Sequence, residues 1–172
     1  MNFFRSFVFS LVLSLAYACT SGHGTDFRVI SPDGTLAVDV RTGDSLTYAV
    51  TRHGASVLLP SAIALQFDDG TAPGRVARVS DVHRSAVERE IEAPFHRQAR
   101  FTEHYNQLRL DFEGGYSVTF RVFDEGCAYR FETARMGTVD IESETAELNF
   151  AADFETLWPR EENPDFISHC EA

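Results

Sequence analysis

Trp158 stands close to Glu161, Glu162 and Asp165 in a stretch with no hydrophobic periodicity, which reads as a loop. An aromatic face can stack on the apolar face of a sugar, and cleavage of a glycosidic bond needs a pair of carboxyl groups. Trp158 is therefore the candidate for substrate binding, and a contact surface for another domain is the competing reading of the same loop. The sequence holds 26 acids, and spacing singles out none of them. Asp39, Asp111, Glu113 and Glu132 alternate with apolar residues, so a solvated strand face explains them. Of the six histidines, His83, His96 and His104 lack the tight partner in sequence that a zinc site shows. His104-Tyr105-Asn106 reads instead as a buried polar network in which Tyr105 supplies bulk and a hydroxyl. Gly114-Gly115 precedes a strand rather than a helix, so it is no phosphate loop, and no Gly-x-Ser-x-Gly elbow occurs. No catalytic residue, metal ligand or cofactor is assigned to this chain.

The remaining chemistry lies in three cysteines, Cys19, Cys127 and Cys170. Residues 1–18 have the form of a signal peptide: Arg5, an apolar run from Phe7 to Leu15, and the small-x-small site Ala16-Tyr17-Ala18. Cleavage after Ala18 leaves Cys19 first, either lipidated as a membrane anchor or as a free, soluble terminus. Residues 19–26 read as a flexible tether. Cys127 and Cys170 could pair in an oxidising compartment, but the better reading makes Cys127 a small core residue on a strand. The net charge is −11 and every basic residue is Arg, which argues against nucleic acid or an anionic membrane surface as partner.

The elements that must position these groups are all strands. Tyr116, Val118, Phe120 and Val122 alternate with Ser117, Thr119 and Arg121. Asp124-Glu125-Gly126 turns the chain, and Cys127, Tyr129 and Phe131 resume the alternation, so residues 116–132 form a hairpin. Upstream, short apolar rows recur at Leu36–Val40, Leu46–Val50, Val57–Leu59 and Ile63–Phe67, with turns at Ser31-Pro32-Asp33-Gly34 and His53-Gly54. Residues 85–95 read as an extended excursion ending at Pro94, Ala99–Tyr105 and Leu108–Phe112 as strands, and Val139–Ile141 as the start of another. The predicted fold is all-β, an antiparallel sandwich over residues 27–172.

The hairpin at 116–132 resembles the central hairpin of the N-terminal domain of glycoside hydrolase family 97. Further matches follow in family order: Ser31-Pro32-Asp33-Gly34, His104-Tyr105-Asn106-Gln107-Leu108, Glu147-Leu148-Asn149-Phe150, and Trp158-Pro159-Arg160-Glu161-Glu162 with Ser168-His169. The resemblance implies part of a β-supersandwich that packs on a catalytic (β/α)8 barrel in exported, calcium-dependent bacterial α-glucosidases and α-galactosidases. It implies periplasmic export or an outer-membrane lipoprotein of a Gram-negative bacterium. The domain reads as incomplete at its C-terminus, and the barrel is not in this sequence. His169-Cys170-Glu171-Ala172 echoes a calcium-ligating segment of the family but stands in a different place, so calcium belongs to the full-length enzymes.

Three readings follow: an accessory sandwich inactive without its barrel, a free-standing carbohydrate-binding module, or a small hydrolase of another kind. The second requires exposed aromatics such as Tyr48, Tyr105 or Trp158 on a concave face. The first requires an open sheet edge.

Overall fold

A computed structural model describes residues 26–92 and 100–155. Nine strands are found among them: β1 (Asp26–Ile30), β2 (Leu36–Arg41), β3 (Thr47–Arg52), β4 (Ala55–Phe67), β5 (Val79–Glu92), β6 (Arg100–Phe112), β7 (Tyr116–Val122), β8 (Cys127–Thr133) and β9 (Ile141–Ala146). They form two antiparallel sheets, of order β1-β2-β3-β4-β9 and β5-β6-β7-β8.

Alternation sets the two faces of each strand. In β7, Val118, Phe120 and Val122 enter the core, as do Val38 and Val40 from β2 and Leu108 and Leu110 from β6. Tyr48 of β3 crosses between the layers, its ring 6.3 Å from Phe120 and 5.6 Å from Tyr129. Its burial pushes its phenol up to about 12, with Tyr129 and Cys127 adding to the shift. Each inward aromatic contributes on the order of 2 kcal/mol through area removed from water. No buried side-chain polar atom among the described residues lacks a partner.

Some segments differ in detail from the sequence pattern. The rows at Val57–Leu59 and Ile63–Phe67 belong to one strand, β4. Pro60 separates them in sequence because it has no N–H to donate, but the sheet accommodates it in a bulge. Tyr48 pairs with Ser61 and Val50 with Leu58, so Leu59 and Pro60 together stand against Ala49. The excursion from Ser85 is extended as expected, and it is paired: β5 and β6 form a ladder as far as Glu92 opposite Arg100. The stretches read as Ala99–Tyr105 and Leu108–Phe112 are likewise one strand from Arg100 on, β6, and Ala99 lies outside the described residues. After β9 the chain keeps following β4, with Leu59 N donating to Asn149 O at 2.8 Å, Ala151 N to Val57 O at 3.1 Å, and an isolated bridge between Leu58 and Phe150.

The layers are offset. β1 packs over β6 and β7, β2 over β7, and Tyr48 carries β3 over β8. β4 is still covered, with Leu58, Ile63 and Phe67 buried, whereas Ile141 of β9, the outer strand of the five-stranded sheet, is 57 % exposed.

Candidate functional site

Two places on this scaffold gather side chains of chemical interest. The first lies on the outer face of the four-stranded sheet. Asp81 and His83 are two residues apart on β5, which puts both on one face. The ladder sets Asp81 opposite Asp111 and His83 opposite Arg109. His83 Nε2 lies 2.9 Å from Asp111 Oδ2 and 3.5 Å from Asp81 Oδ2. Arg109 holds the other oxygen of Asp111 at 2.9 Å and reaches Glu132 at 2.6 Å. Arg130 completes the row on Glu132 at 2.5 Å. Asp81, His83 and Asp111 are the one group of three or more His, Cys, Asp or Glu among the described residues whose ligand atoms come together.

The calcium that the resemblance implies does not fit this group. Calcium takes six to eight oxygens. Here the set offers two carboxylates and a ring nitrogen, all at least half open to solvent or already held by a guanidinium. The arrangement is a paired-charge face, worth little per pair because water screens it. Asp111 and Glu132 thus lie on the solvated face that the alternation predicts, as does Asp39 in its pair with Arg28 at 3.4 Å. Glu113 is exposed. The spacing Asp81-x-His83 was visible in the sequence, but Asp111 joins through strand register, which no spacing announces.

The second place is the open seam beside β8. Val118, Phe120 and Val122 are buried on β7, and their neighbours across the ladder are Phe131, Tyr129 and Cys127. Those three share the inward face of β8, yet Tyr129 and Phe131 are only half-buried and Cys127 is exposed. Cys127 is therefore not the core residue expected from its alternation: its face is inward, but nothing among the described residues lies beyond it. Its partly desolvated surroundings still push the thiol up. The opposing layer is β4 and β9. Leu65, Phe67, Val139 and Ile141 share a cleft of about 130 Å³ with Phe131 and Tyr116. Burial raises the Tyr129 phenol, and Glu144 of β9 raises it further.

The remaining expected residues separate. Tyr48 is 7 % exposed and Tyr105 3 %, so neither forms the sugar platform that a binding module requires. Tyr105 packs on Phe123 at 5.0 Å and lies under the Arg121 guanidinium at 4.7 Å. The buried polar network expected around it is not formed: His104 is exposed, and half-buried Asn106 donates Nδ2 to Ile30 O at 2.8 Å. Trp158, Glu161, Glu162, Asp165, Ala18, Cys19, Cys170 and His96 lie outside the described residues, and with them the signal peptide, residues 19–25 of the tether and the pairing of Cys127 with Cys170, whereas Asp26, read as the tether's last residue, opens β1.

The comparisons with known proteins agree with one another. The family described as Glycosyl-hydrolase 97 N-terminal matches residues 29–171. A retaining α-galactosidase of Bacteroides thetaiotaomicron is 35% identical over 133 residues, which is 77% of this chain and 20% of that protein. A probable retaining α-galactosidase of Streptomyces bingchenggensis is 30% identical over 131 residues, 74% of this chain and 20% of that protein. Among solved structures, a Glycoside Hydrolase Family 97 enzyme from Pseudoalteromonas sp. strain K8, in complex with panose, superposes with a TM-score of 0.63 at 21% identity. That superposition covers 73% of this chain and 20% of the enzyme, and it shows a shared fold. The chain spans about a fifth of the length of the curated relatives it matches. On the family match and the Bacteroides identity together, the chain belongs to the glycosyl-hydrolase 97 N-terminal family.

Proposed function

We propose that this chain is the accessory N-terminal sandwich of an α-glycosidase, bracing a catalytic (β/α)8 barrel that another stretch of polypeptide supplies, and that it hydrolyses nothing by itself. The observation that carries this reading is the match of residues 29–171 to one N-terminal domain, while the stretch shared with the Bacteroides enzyme makes up only 20% of that protein. The pairing of charges supports it: glycoside hydrolysis needs two carboxyl groups facing the scissile bond, whereas Asp111 and Glu132, brought together among the described residues, are tied to Arg109 and Arg130. The relatives' names make an α-galactoside the substrate class of the whole enzyme. Calcium, if the whole enzyme uses it, would be held by residues beyond those described here. Export to the periplasm, with Cys19 as lipid anchor or soluble terminus, is part of the same proposal.

Transplantation tests it. Residues 29–171 replace the matching segment of the Bacteroides α-galactosidase, and a second form lacks the segment altogether. The chimaera retains α-galactoside hydrolysis and the deletion loses it. A folded chimaera as inactive as the deletion would refute the bracing role.

A further inference from the structure

We propose that the seam beside β8 is a strand-accepting groove, filled by one extended segment from the part of the longer relatives that this chain does not match. This deepens the bracing role and rests on it. Four features of the structure carry it.

The edge is hydrogen-bond competent. Phe123 N donates to Gly126 O, and Ala134 N donates to Gly115 O. With the ladder pairing Val122 to Cys127 and Tyr116 to Thr133, these two bonds set its phase. Ala128, Arg130 and Glu132 turn their backbone groups to β7. Cys127, Tyr129, Phe131 and Thr133 turn theirs away, to an edge that pairs with nothing among the described residues.

The same edge carries an unfinished core. Cys127, Tyr129 and Phe131 continue the buried row Val122, Phe120 and Val118 by one strand and no further. Above them β4 and β9 continue the other layer, so Leu65, Ile141 and Glu144 form a roof whose floor is missing. A segment laid along β8 would exchange backbone hydrogen bonds with β8 at its side, within the sheet, and receive apolar contact from above.

The roof decides the occupant. Pairing of β8 with a second copy of itself would run about a two-fold axis normal to the sheet, and would bring that copy's five-stranded sheet against β4 and β9, which line the seam. One layer of backbone fits where a whole second sandwich does not. The segment is therefore a single strand of about seven residues, the length of β8. It alternates apolar side chains toward the roof with polar ones outward, and carries a hydrogen-bond donor opposite Glu144.

Charge on the outer face is consistent with a covered edge. Arg130 is paired with Glu132, which Arg109 shares, so this face of β8 presents no arginine without a carboxylate partner.

Amide hydrogen exchange tests the groove. In the 172-residue chain the Tyr129 and Phe131 amides exchange at nearly unprotected rates, whereas those of Arg130 and Glu132, bonded to β7, are protected. Slow Tyr129 and Phe131 amides in the chain alone would overturn the proposal. In the chimaera described above, both amides slow by about a hundredfold or more. A folded chimaera in which they stay fast would overturn the groove, whether or not it hydrolyses substrate. A folded chimaera with slowed amides but no hydrolysis would support the groove and count against bracing alone. A second variant uses the outward N–H of Thr133. Thr133→Pro leaves the isolated chain's melting almost unchanged, because an edge tolerates proline, but lowers that of the chimaera. Equal effects on both would also contradict the proposal.

Discussion

Leu58 and Phe150 face each other across an antiparallel bridge, yet Leu58 is 5 % exposed and Phe150 46 %. Opposed residues in a ladder share a face. The difference is therefore one of position across the sheet, not of direction. Leu58 sits in β4, roofed by its neighbours, and Phe150 sits one step further out, where the second layer has stopped. Phe150 sets its ring against that of Phe154, at 6.2 Å. Ile141, 57 % exposed on the β9 edge, repeats the pattern.

The first prediction follows from that contrast. Phe120→Ala empties a fully buried position and costs about 3–5 kcal/mol. Phe150→Ala removes a half-solvated ring and costs less than about 1 kcal/mol. Urea denaturation of the isolated chain measures both. Equal costs would mean that the outer strand is covered after all.

Gly74 sets the path of the connection between β4 and β5. It has φ +91°, and a Cβ there would lie 2.4 Å from Ile63 O. Its N–H donates to the Tyr116 hydroxyl at 3.2 Å. Gly54 has φ +80° with open space around it. Gly54→Ala therefore costs only the left-handed backbone, about 1 kcal/mol. Gly74→Ala adds a clash with backbone and costs about 3 kcal/mol or more. Thermal melting of the two variants ranks them, and a Gly74 variant no worse than the Gly54 variant would contradict the packing.

Two turn carboxylates shape the acid limb of stability. Asp33 accepts from Ser31 Oγ at 2.6 Å and Thr35 N at 2.9 Å, and these bonds hold its carboxyl down from 3.8 to about 2. Asp69 accepts from Thr71 Oγ1 at 2.7 Å and Thr71 N at 2.9 Å and pairs with Arg135, which lowers it likewise to about 2. A folded-state pKa below the unfolded one means that the unfolded chain binds the proton more readily. Their contribution is thus present above pH 3.8 and is lost as the pH falls toward about 2. Asp33→Asn and Asp69→Asn flatten the stability profile across that window in denaturant titrations at stepped pH. An unchanged slope in the double variant would remove this assignment.

The prediction for calcium is that the Asp81, His83 and Asp111 set does not hold it. A ligand that binds only the folded form raises the melting temperature with its concentration. The Asp81, His83 and Asp111 set is poorly matched to calcium, so neither excess calcium nor a chelator moves the melting temperature of residues 1–172, and His83→Ala changes it little. A rise that tracks calcium concentration would show that the donors rearrange to hold it.

Much of the sandwich could be read from alternation alone. Tyr116, Val118, Phe120 and Val122 are all buried where their spacing placed them, and the turn after them falls at Asp124–Gly126. Alternation reports which face a side chain takes, but not whether that face is covered. Cys127 shows the gap: its phase was right and its burial was not, because burial depends on the next strand. Tyr48 and Tyr105 show the converse, two aromatics that could have stacked on a ligand and instead close the core and its border. Pro60 split β4 in the reading because a bulge has no local signature. The Asp81, His83 and Asp111 cluster needed the β5–β6 register, a property of two strands at once.

Turnover by the purified 172-residue chain tests the central claim most directly. Incubated with an aryl α-galactoside and an aryl α-glucoside beside the active chimaera, it releases no more aglycone than buffer does. Release of sugar by the chain alone, abolished by substituting one of its own acids, would contradict the account of a sandwich that only supports catalysis.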